Sequence, residues 1–229
     1  MMLLNVTLTV FAAASLHVAM PAIGHAFEAA HPGVAVSFDF DGSQVLVAQI
    51  EQGARVDVLA TADTKNMKAA QDAGFAGPST DFAHNVLTIV TPASSPVKIA
   101  TDMASPNVKV AVCVDSAPCG RYAKAALSAM NIPAHIVTQE INVEGVMEKV
   151  VLNEVDAGIV YVTDAATAKR GTVRTIVIPP YDQQPVTYPA AVVKGSANAD
   201  LAVAFVSFLT GRTAQSILRH YRFQGITSP

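Results

Sequence analysis

Several features are scarce in this sequence, and each absence narrows the class of protein. The 229 residues include no tryptophan, two cysteines and 14% charged residues. The formal net charge is -3, and no run of Lys or Arg appears, which argues against nucleic acid or an acidic membrane surface as the main partner. No stretch of about 18 uninterrupted apolar residues occurs, so we do not expect a membrane span.

Signatures of catalysis and of metal binding are also missing. The sequence has no GxSxG elbow, no Walker loop and no GxGxxG motif. Its six histidines lack the HxxxH or His–carboxylate spacing of metal sites. They are His17, His25, His31, His84, His135 and His220. We therefore expect neither an enzyme nor a bound cofactor.

The two cysteines and the first residues each leave two interpretations open. Cys113 and Cys119 fit no zinc motif, and they are either a disulfide in an oxidising compartment or two free cysteines. A nucleophilic Cys119 would need a histidine partner that the sequence does not reveal. The chain enters an apolar run directly after Met1, with no export signal. The protein is therefore either cytoplasmic or a mature form whose signal was replaced by a start codon.

Strands and helices alternate along a chain that is 51% hydrophobic, enough for sizeable cores. The segment from Phe11 to Ser15 (FAAAS) ends a strand that begins at Leu4 and leads into a helix over Ser15–His31. Ser15 is expected to be the N-cap of this helix, and Pro21 would then kink it past its first turn.

The same alternation continues to the C-terminus. The strands are expected at 34–40, 57–61, 86–91, 109–114, 135–138, 157–161, 173–178 and 186–193. The helices are expected at 43–53, 63–73, 120–130, 142–150, a short segment after 164, 198–209 and 212–221. This order predicts an α/β protein with largely parallel sheets. Two similar series suggest two lobes, residues 1–84 with 190–229 and residues 85–189, with a ligand cleft between them.

Four residues lie at or just inside the starts of predicted helices that follow strands: Ser15, Ser43, Cys119 and Val143. The first N–H groups of a helix have no intrahelical acceptor and lie at the positive end of the helix dipole, so they favour a bound anion. Tyr161, the last residue of a buried strand, would add a phenolic donor. The alternatives are that Ser15 only caps its helix and that Tyr161 only closes a core layer.

Five blocks of sequence resemble the molybdate-binding proteins that serve ABC importers, in order and over nearly the whole chain. The blocks are Thr9–Leu16 (TVFAAASL), 49–63 (QIEQGA and DVLATAD), 118–124 (PCG and YAK), 158–165 (GIVY and DA) and Tyr188–Val193 (YPAAVV). The resemblance implies a two-lobed periplasmic-binding-protein fold of type II. It also implies a monomeric periplasmic or extracytoplasmic protein that captures molybdate or tungstate, performs no chemistry on it and delivers it to a membrane ABC permease.

The resemblance also implies the ligand-binding residues and how they act. Ser15 and Ser43 would donate through hydroxyl and backbone N–H, Cys119 and Val143 through backbone N–H, and Tyr161 through its hydroxyl. The metal would be held only as an oxyanion, by hydrogen bonds alone. Sulfate would be excluded by the size of the cavity.

Three residues depart from the family pattern. Cys119 replaces a small residue, Arg121 is unusual at its position, and Asp41 places a carboxylate near a dianion unless it points away or pairs with Arg121.

The alternative functions are a binding protein for sulfate, phosphate or a small organic anion on the same fold, and a regulatory module or enzyme on that fold. The sequence shows no DNA-binding segment for such a regulator.

Overall fold

The computed structural model describes residues 6–226, and the chain divides into two compact α/β units. The first unit comprises residues up to His84 together with those from Thr187 onward, and the second comprises Asn85–Val186. The chain therefore re-enters the first unit at Thr187, whereas the sequence interpretation placed the return at residue 190.

Eleven strands are found within residues 6–226. They are β1 (Val6–Ala13), β2 (Val34–Asp41), β3 (Val58–Ala60), β4 (Ala76–Asn85), β5 (Leu87–Pro92), β6 (Val110–Cys113), β7 (Ile136–Glu140), β8 (Ala157–Tyr161), β9 (Val173–Val177), β10 (Val186–Val193) and β11 (Gln224–Gly225).

Eight α-helices lie between these strands in the described part of the chain. They are α1 (Met20–Ala30), α2 (Ser43–Glu51), α3 (Thr64–Asp72), α4 (Pro118–Ala129), α5 (Val143–Val151), α6 (Val162–Ala165), α7 (Ala199–Thr210) and α8 (Arg212–His220). Short 3-10 helices occur at Ala14–Leu16, Ala100–Ala104 and Pro180–Asp182. No single helix within residues 6–226 has both the length and the apolar character to cross a membrane. Taken together, α7 and α8 reach that length and composition, but they are bent by 58° relative to each other.

Each unit contains one mixed sheet. The order in the first unit is β11-β4-β10-β3-β1-β2, with β1 parallel to β2 and β3, and β10 antiparallel to β3. The order in the second is β7-β6-β8-β5-β9, with β6 parallel to β7 and β8, and β5 antiparallel to β8 and β9. The prediction of largely parallel sheets is therefore wrong for β5, β9 and β10. Since β5 and β10 begin where the chain passes between units, they do not follow a crossover helix, and nothing requires them to be parallel.

Consecutive residues are buried along β1 and β3, so both faces of these central strands are covered, which explains why they read as apolar runs. On one face Phe11 of β1 and Leu59 of β3 pack with Leu46 of α2 and Met67 of α3. Elsewhere in this unit, the aromatic ring of Phe27 in α1 meets two rings of α7. Its centroid lies 5.1 Å from that of Phe205 and 5.4 Å from that of Phe208.

A glycine brings α5 close to the sheet of the second unit. A Cβ at Gly158, the second residue of β8, would lie 2.8 Å from a methyl group of Val146 and 2.9 Å from one of Val150. Real Cβ contacts are longer, so a larger residue here would push α5 outward. Gly158 thus helps set the position of α5 and of its first residue, Val143.

The start of the first long helix differs from the sequence prediction. Ser15 lies inside the 3-10 helix Ala14–Leu16, while α1 begins at Met20 with Ala19 as N-cap. The His17 N–H bonds to the Ala14 carbonyl at 3.0 Å, which closes a tight turn before α1. Pro21 therefore falls in the first turn of α1, where its missing N–H costs nothing. The predictions that Ser15 caps this helix and that Pro21 kinks it are wrong.

Two strands were not predicted from the sequence. The residues of β4, AGPSTDFAHN, include Gly, Pro and Asp and lack the alternation of apolar and polar residues that marks a strand. β4 is nonetheless paired on both sides, with β10 and β11. β11 has only two residues, too few for a pattern. Tertiary pairing, and not local propensity, forms both strands.

Candidate anion-binding site

The two serines proposed from the sequence follow neighbouring strands of the first unit. β1 and β2 are parallel, and their last residues, Ala13 and Asp41, are register partners. Ser15 and Ser43 each come two residues after these strand ends. β3, on the other side of β1, ends at the same edge. The fold therefore brings both serines to one edge of one sheet, where ligands of open α/β sheets bind.

The Ser15 side chain is buried and does not cap a helix. It is 2% exposed, and its Oγ lies 2.9 Å from the phenolic oxygen of Tyr188 in β10. The short 3-10 helix has no side-chain cap. The interpretation of Ser15 as a helix cap is thus excluded, and its hydroxyl belongs to a buried polar pair.

Ser43 is the first residue of α2, and its N–H belongs to the first turn, where helix N–H groups have no intrahelical acceptor. Its side chain is 1% exposed, and its Oγ accepts a hydrogen bond from the N–H of Ala62 at 3.0 Å. Because a backbone N–H only donates, the Ser43 proton remains available to a further acceptor. Ser43 is thus arranged as a hydrogen-bond donor.

Asp41 precedes Ser43, and its carboxylate is engaged locally. Its Oδ1 accepts a hydrogen bond from the N–H of Gly42 at 2.7 Å. This bond folds the carboxylate onto its own backbone. A carboxylate satisfied in this way opposes a nearby anion less than one directed at it.

The second unit places its three proposed residues at the corresponding edge of its sheet. β6 is parallel to both β7 and β8, and Cys113 and Glu140, the last residues of β6 and β7, are register partners. Beyond these strand ends lie Cys119, the second residue of α4, and Val143, the first residue of α5. Tyr161 is itself the last residue of β8.

Cys113 and Cys119 form a disulfide, which decides between the two alternatives that the sequence left open. Their Cα atoms are 5.7 Å apart, and the two residues are 0% and 4% exposed. The bond joins the end of β6 to the first turn of α4. Since Cys119 carries no thiol, it is not a nucleophile, and the hydrogen-bond donor that it retains is its backbone N–H.

Gly120 lets the start of α4 pack directly onto the chain that leaves β6. A Cβ at this position would lie 2.1 Å from the carbonyl oxygen of Val114 and 2.6 Å from that of Cys113. No side chain fits such a space. The disulfide and this close approach together fix the backbone at Cys119.

Arg121 folds back over the same loop. Its guanidinium donates to the carbonyl oxygens of Asp115 and Ser116. Burial lowers the pKa of Arg121, while the nearby phenols of Tyr122 and Tyr161 oppose that shift. Burial also raises the pKa of the Tyr122 phenol. The cation therefore lies near Tyr161, one of the proposed donors, and helps to hold the loop before α4.

The start of α5 is capped by Asn142, as the sequence predicts. Its side-chain oxygen accepts a hydrogen bond from the N–H of Gly145 at 3.1 Å. The N–H of Val143, one residue into the helix, has no acceptor within the helix. Val143 is 2% exposed, so its side chain packs into the unit while its N–H lies at the helix start.

Tyr161 ends β8 and begins α6. Its N–H donates to Oδ2 of Asp164 at 3.1 Å, and its side chain is 1% exposed. A phenol at the end of this strand has a polar tip and a buried ring. Its burial fits both the core-layer interpretation and a donor role.

Sequence reasoning missed two groups at the edge of the first unit, the Tyr188 phenol and the Ala62 N–H. Tyr188 lies in one of the blocks that carry the family resemblance, which was the available signal. The Ala62 N–H has no signal of its own, because every residue except proline supplies a backbone N–H. No group of three or more His, Cys, Asp or Glu residues within residues 6–226 is arranged to hold a metal ion.

Comparison with known proteins identifies the family. The model of the family described as "Bacterial extracellular solute-binding protein" matches residues 8–224. The molybdate-binding protein ModA of Mycobacterium tuberculosis is 39% identical over 215 residues, which cover 93% of this chain and 82% of that protein. ModA of Escherichia coli is 35% identical over 230 residues, covering 94% and 88% of the two chains.

A solved structure supports the fold. The periplasmic molybdate-binding protein of Azotobacter vinelandii superposes with a TM-score of 0.83 at 21% identity, covering 97% of this chain and 99% of that one. The prediction of the two-lobed α/β fold of periplasmic binding proteins is thereby confirmed.

The relatives also bear on the class of activity and on location. They are binding proteins, so the expectation that this chain is not an enzyme is confirmed. Members of the matched family are extracellular, which confirms the extracytoplasmic location. The chain belongs to the bacterial extracellular solute-binding protein family, and within it to the molybdate-binding proteins.

Proposed function

We propose that the protein captures molybdate or tungstate in the periplasm, or outside the membrane of a cell without one, and delivers it as a monomer to an ABC permease. No cofactor takes part, because the metal arrives as an intact oxyanion. The observation that carries the proposal is the placement of Ser15, Ser43, Cys119 and Val143. Each follows the carboxyl end of a strand, the edge of a sheet where open α/β proteins bind their ligands.

The proposed donors suit a fully ionised tetrahedral oxyanion. Ser15 and Ser43 would donate through hydroxyl and N–H, Cys119 and Val143 through N–H, and Tyr161 through its hydroxyl. All five residues are at least nine-tenths buried. Hydrogen bonds to an anion in such surroundings are stronger than in water. A protein with a net charge of -3 can then bind a dianion, since local dipoles supply the field.

The experiment is isothermal titration of the purified, anion-free protein in a phosphate-free buffer. We expect one molybdate or tungstate to bind per chain and sulfate to give no heat, because size alone separates these tetrahedral dianions. Heat from sulfate or phosphate with none from molybdate would replace this proposal with binding of another anion. Heat from none of these anions would overturn the proposed ligand class.

A further inference from the structure

Ser15 and Tyr188 form a buried hydroxyl pair that links distant parts of the chain. Their side-chain oxygens are 2.9 Å apart, and the residues are separated by 173 positions. Ser15 is 2% exposed and Tyr188 is 0% exposed. Either hydroxyl can be the donor in such a pair, so geometry around the pair must decide the direction.

Ser43 provides a comparison for the direction of this hydrogen bond. Its Oγ accepts from the Ala62 N–H at 3.0 Å, and this bond has only one possible direction. A serine hydroxyl has a single proton. Once its oxygen accepts from a protein donor behind it, the proton is left for the ligand. A serine that serves an anion site benefits from such a donor.

Tyr188 occupies the equivalent place behind Ser15. β10 pairs with β3 in antiparallel register, with Ala190 opposite Ala60. The N–H of Thr61 bonds to the carbonyl of Pro189 at 3.0 Å, so the pairing continues toward Tyr188 and Ala62. The Tyr188 side chain in β10 and the Ala62 N–H, two residues after β3, thus each meet one of the two serines.

We propose that Tyr188 is a positioning residue for the anion site: its phenol donates to Ser15 Oγ and directs the Ser15 proton toward the bound oxyanion. This inference rests on the proposed function. Tyr188 does not itself touch the ligand in this arrangement. It fixes which way Ser15 points and leaves Ser15 as a donor.

The surroundings of Tyr188 hold its phenol in place. Its ring meets Phe223 edge-on, with centroids 5.4 Å apart, and Phe82, with centroids 6.3 Å apart. The adjacent Thr187 hydroxyl lies 3.2 Å from Nδ1 of His84. Because the protein's own contacts hold the ring, orienting Ser15 through it adds little ordering cost to binding.

A purely structural role for Tyr188 predicts something different. The ring alone would pack as well with phenylalanine, so Tyr188→Phe would then change stability only. The positioning role predicts a loss of affinity that depends on Ser15. Tyr188→Phe removes one oxygen and keeps the ring, so it separates the two roles.

The experiment is titration of sodium molybdate into anion-free wild type, Tyr188→Phe, Ser15→Ala and the double variant, with Tyr221→Phe as a control. Tyr221 is a partly exposed tyrosine beside His220 in the same unit. We expect Tyr188→Phe to bind about tenfold more weakly and Tyr221→Phe to bind like wild type. In the Ser15→Ala background, Tyr188→Phe should cause no further loss.

The outcomes separate this inference from the proposed function. If wild type binds molybdate and Ser15→Ala weakens binding, equal affinity of Tyr188→Phe and wild type overturns the positioning role alone. Additive losses in the double variant overturn it as well. No molybdate binding by wild type overturns the proposed function and this inference with it. Circular dichroism checks the folding of each variant. If Tyr188→Phe folds poorly, the double variant, which leaves neither hydroxyl without its partner, is compared with Ser15→Ala: equal affinities support the positioning role, and a further loss in the double variant overturns it.

Discussion

The two units differ in the kind of hydrogen-bond donor that each is proposed to offer the anion. In the first, the proposed donors include the side chains of Ser15 and Ser43, and each hydroxyl has a buried hydrogen-bond partner, the Tyr188 phenol for Ser15 and the Ala62 N–H for Ser43. In the second, only Tyr161 would donate through a side chain, while Cys119 and Val143 would donate through the backbone, and the surrounding residues fix the helix starts that carry these N–H groups. Side-chain donors can be removed one at a time by substitution. Backbone donors can only be displaced, so the second unit is expected to be sensitive at residues that carry no donor.

The substitution Gly120→Ala tests most directly whether the second unit depends on the position of its backbone donors. We expect it to have the largest effect on stability and on molybdate affinity. A Cβ in Gly120→Ala would lie 2.1 Å from the Val114 carbonyl oxygen, so the start of α4 must move away from β6. We expect the free energy of unfolding to fall by about 3 kcal/mol and molybdate affinity to fall more than in any variant below. Urea unfolding and calorimetric titration measure the two quantities.

Gly77→Ala is the matched control for this substitution. A Cβ there would meet the Val192 carbonyl oxygen at 3.5 Å, an ordinary contact. Its affinity should equal that of wild type. If Gly120→Ala also binds like wild type, the start of α4 takes no part in the site.

Ser43→Ala tests a side-chain donor in the first unit. It removes the proposed donor to the ligand and leaves the buried Ala62 N–H without its acceptor. We expect molybdate binding to weaken by about 1–3 kcal/mol, with a loss of stability of similar size. Ser207→Ala, an exposed serine of α7 in the same unit, is the control. Equal affinities for Ser43→Ala and Ser207→Ala would remove Ser43 from the site.

Removal of the disulfide in a Cys113→Ala/Cys119→Ala variant should have a smaller effect on affinity. The bond joins residues six positions apart, and closing so short a loop stabilises the fold by about 2 kcal/mol in the chain-entropy account. Gly120 still holds α4 against β6, so we expect affinity to fall only a few-fold. Wild type treated with a thiol reductant should behave in the same way as the variant. Full retention of stability in both would show that the disulfide does not contribute to the fold.

The substitution Tyr122→Phe should have the smallest effect. It changes the pH dependence of the free energy of unfolding, and only at alkaline pH. Burial raises its pKa in the folded state, so the stability it contributes is present below its ordinary pKa of about 10 and is lost as pH rises through the folded value. The free energy of unfolding of wild type should therefore fall faster above about pH 10 than that of Tyr122→Phe. Parallel slopes in urea unfolding between pH 9 and 11 would contradict the burial of this phenol.

Much of the fold could be predicted from the sequence because local signals agree with tertiary structure. The bounds of β8 and β10 match the prediction, and Asp63 and Asn142 cap their helices as expected. The failures have a physical cause. β4 is held by pairing with neighbouring strands, and its own residues do not have the pattern of a strand. The 3-10 turn at Ser15 depends on a hydrogen bond between His17 and Ala14, which the sequence pattern does not indicate.

For the site, the sequence could indicate where the proposed donors lie in the chain, but not the tertiary contacts that hold them in place. The helix starts followed from strand and turn patterns, so Ser43 and Val143 were found at the first residues of α2 and α5. The contact between Ser15 and Tyr188 joins residues far apart in the chain, which no local pattern encodes. The pairing of Cys113 with Cys119 also needed the structure, because their spacing allows both a disulfide and free thiols.

The central claim is that the five proposed donor residues of the two units hold one oxyanion. A crystal structure of the protein grown with molybdate tests it most directly, since molybdenum is located by its anomalous scattering. The account predicts one molybdenum peak whose oxygens are within hydrogen-bond distance of Ser15, Ser43, Cys119, Val143 and Tyr161. A fully occupied peak that none of these residues contacts would contradict it.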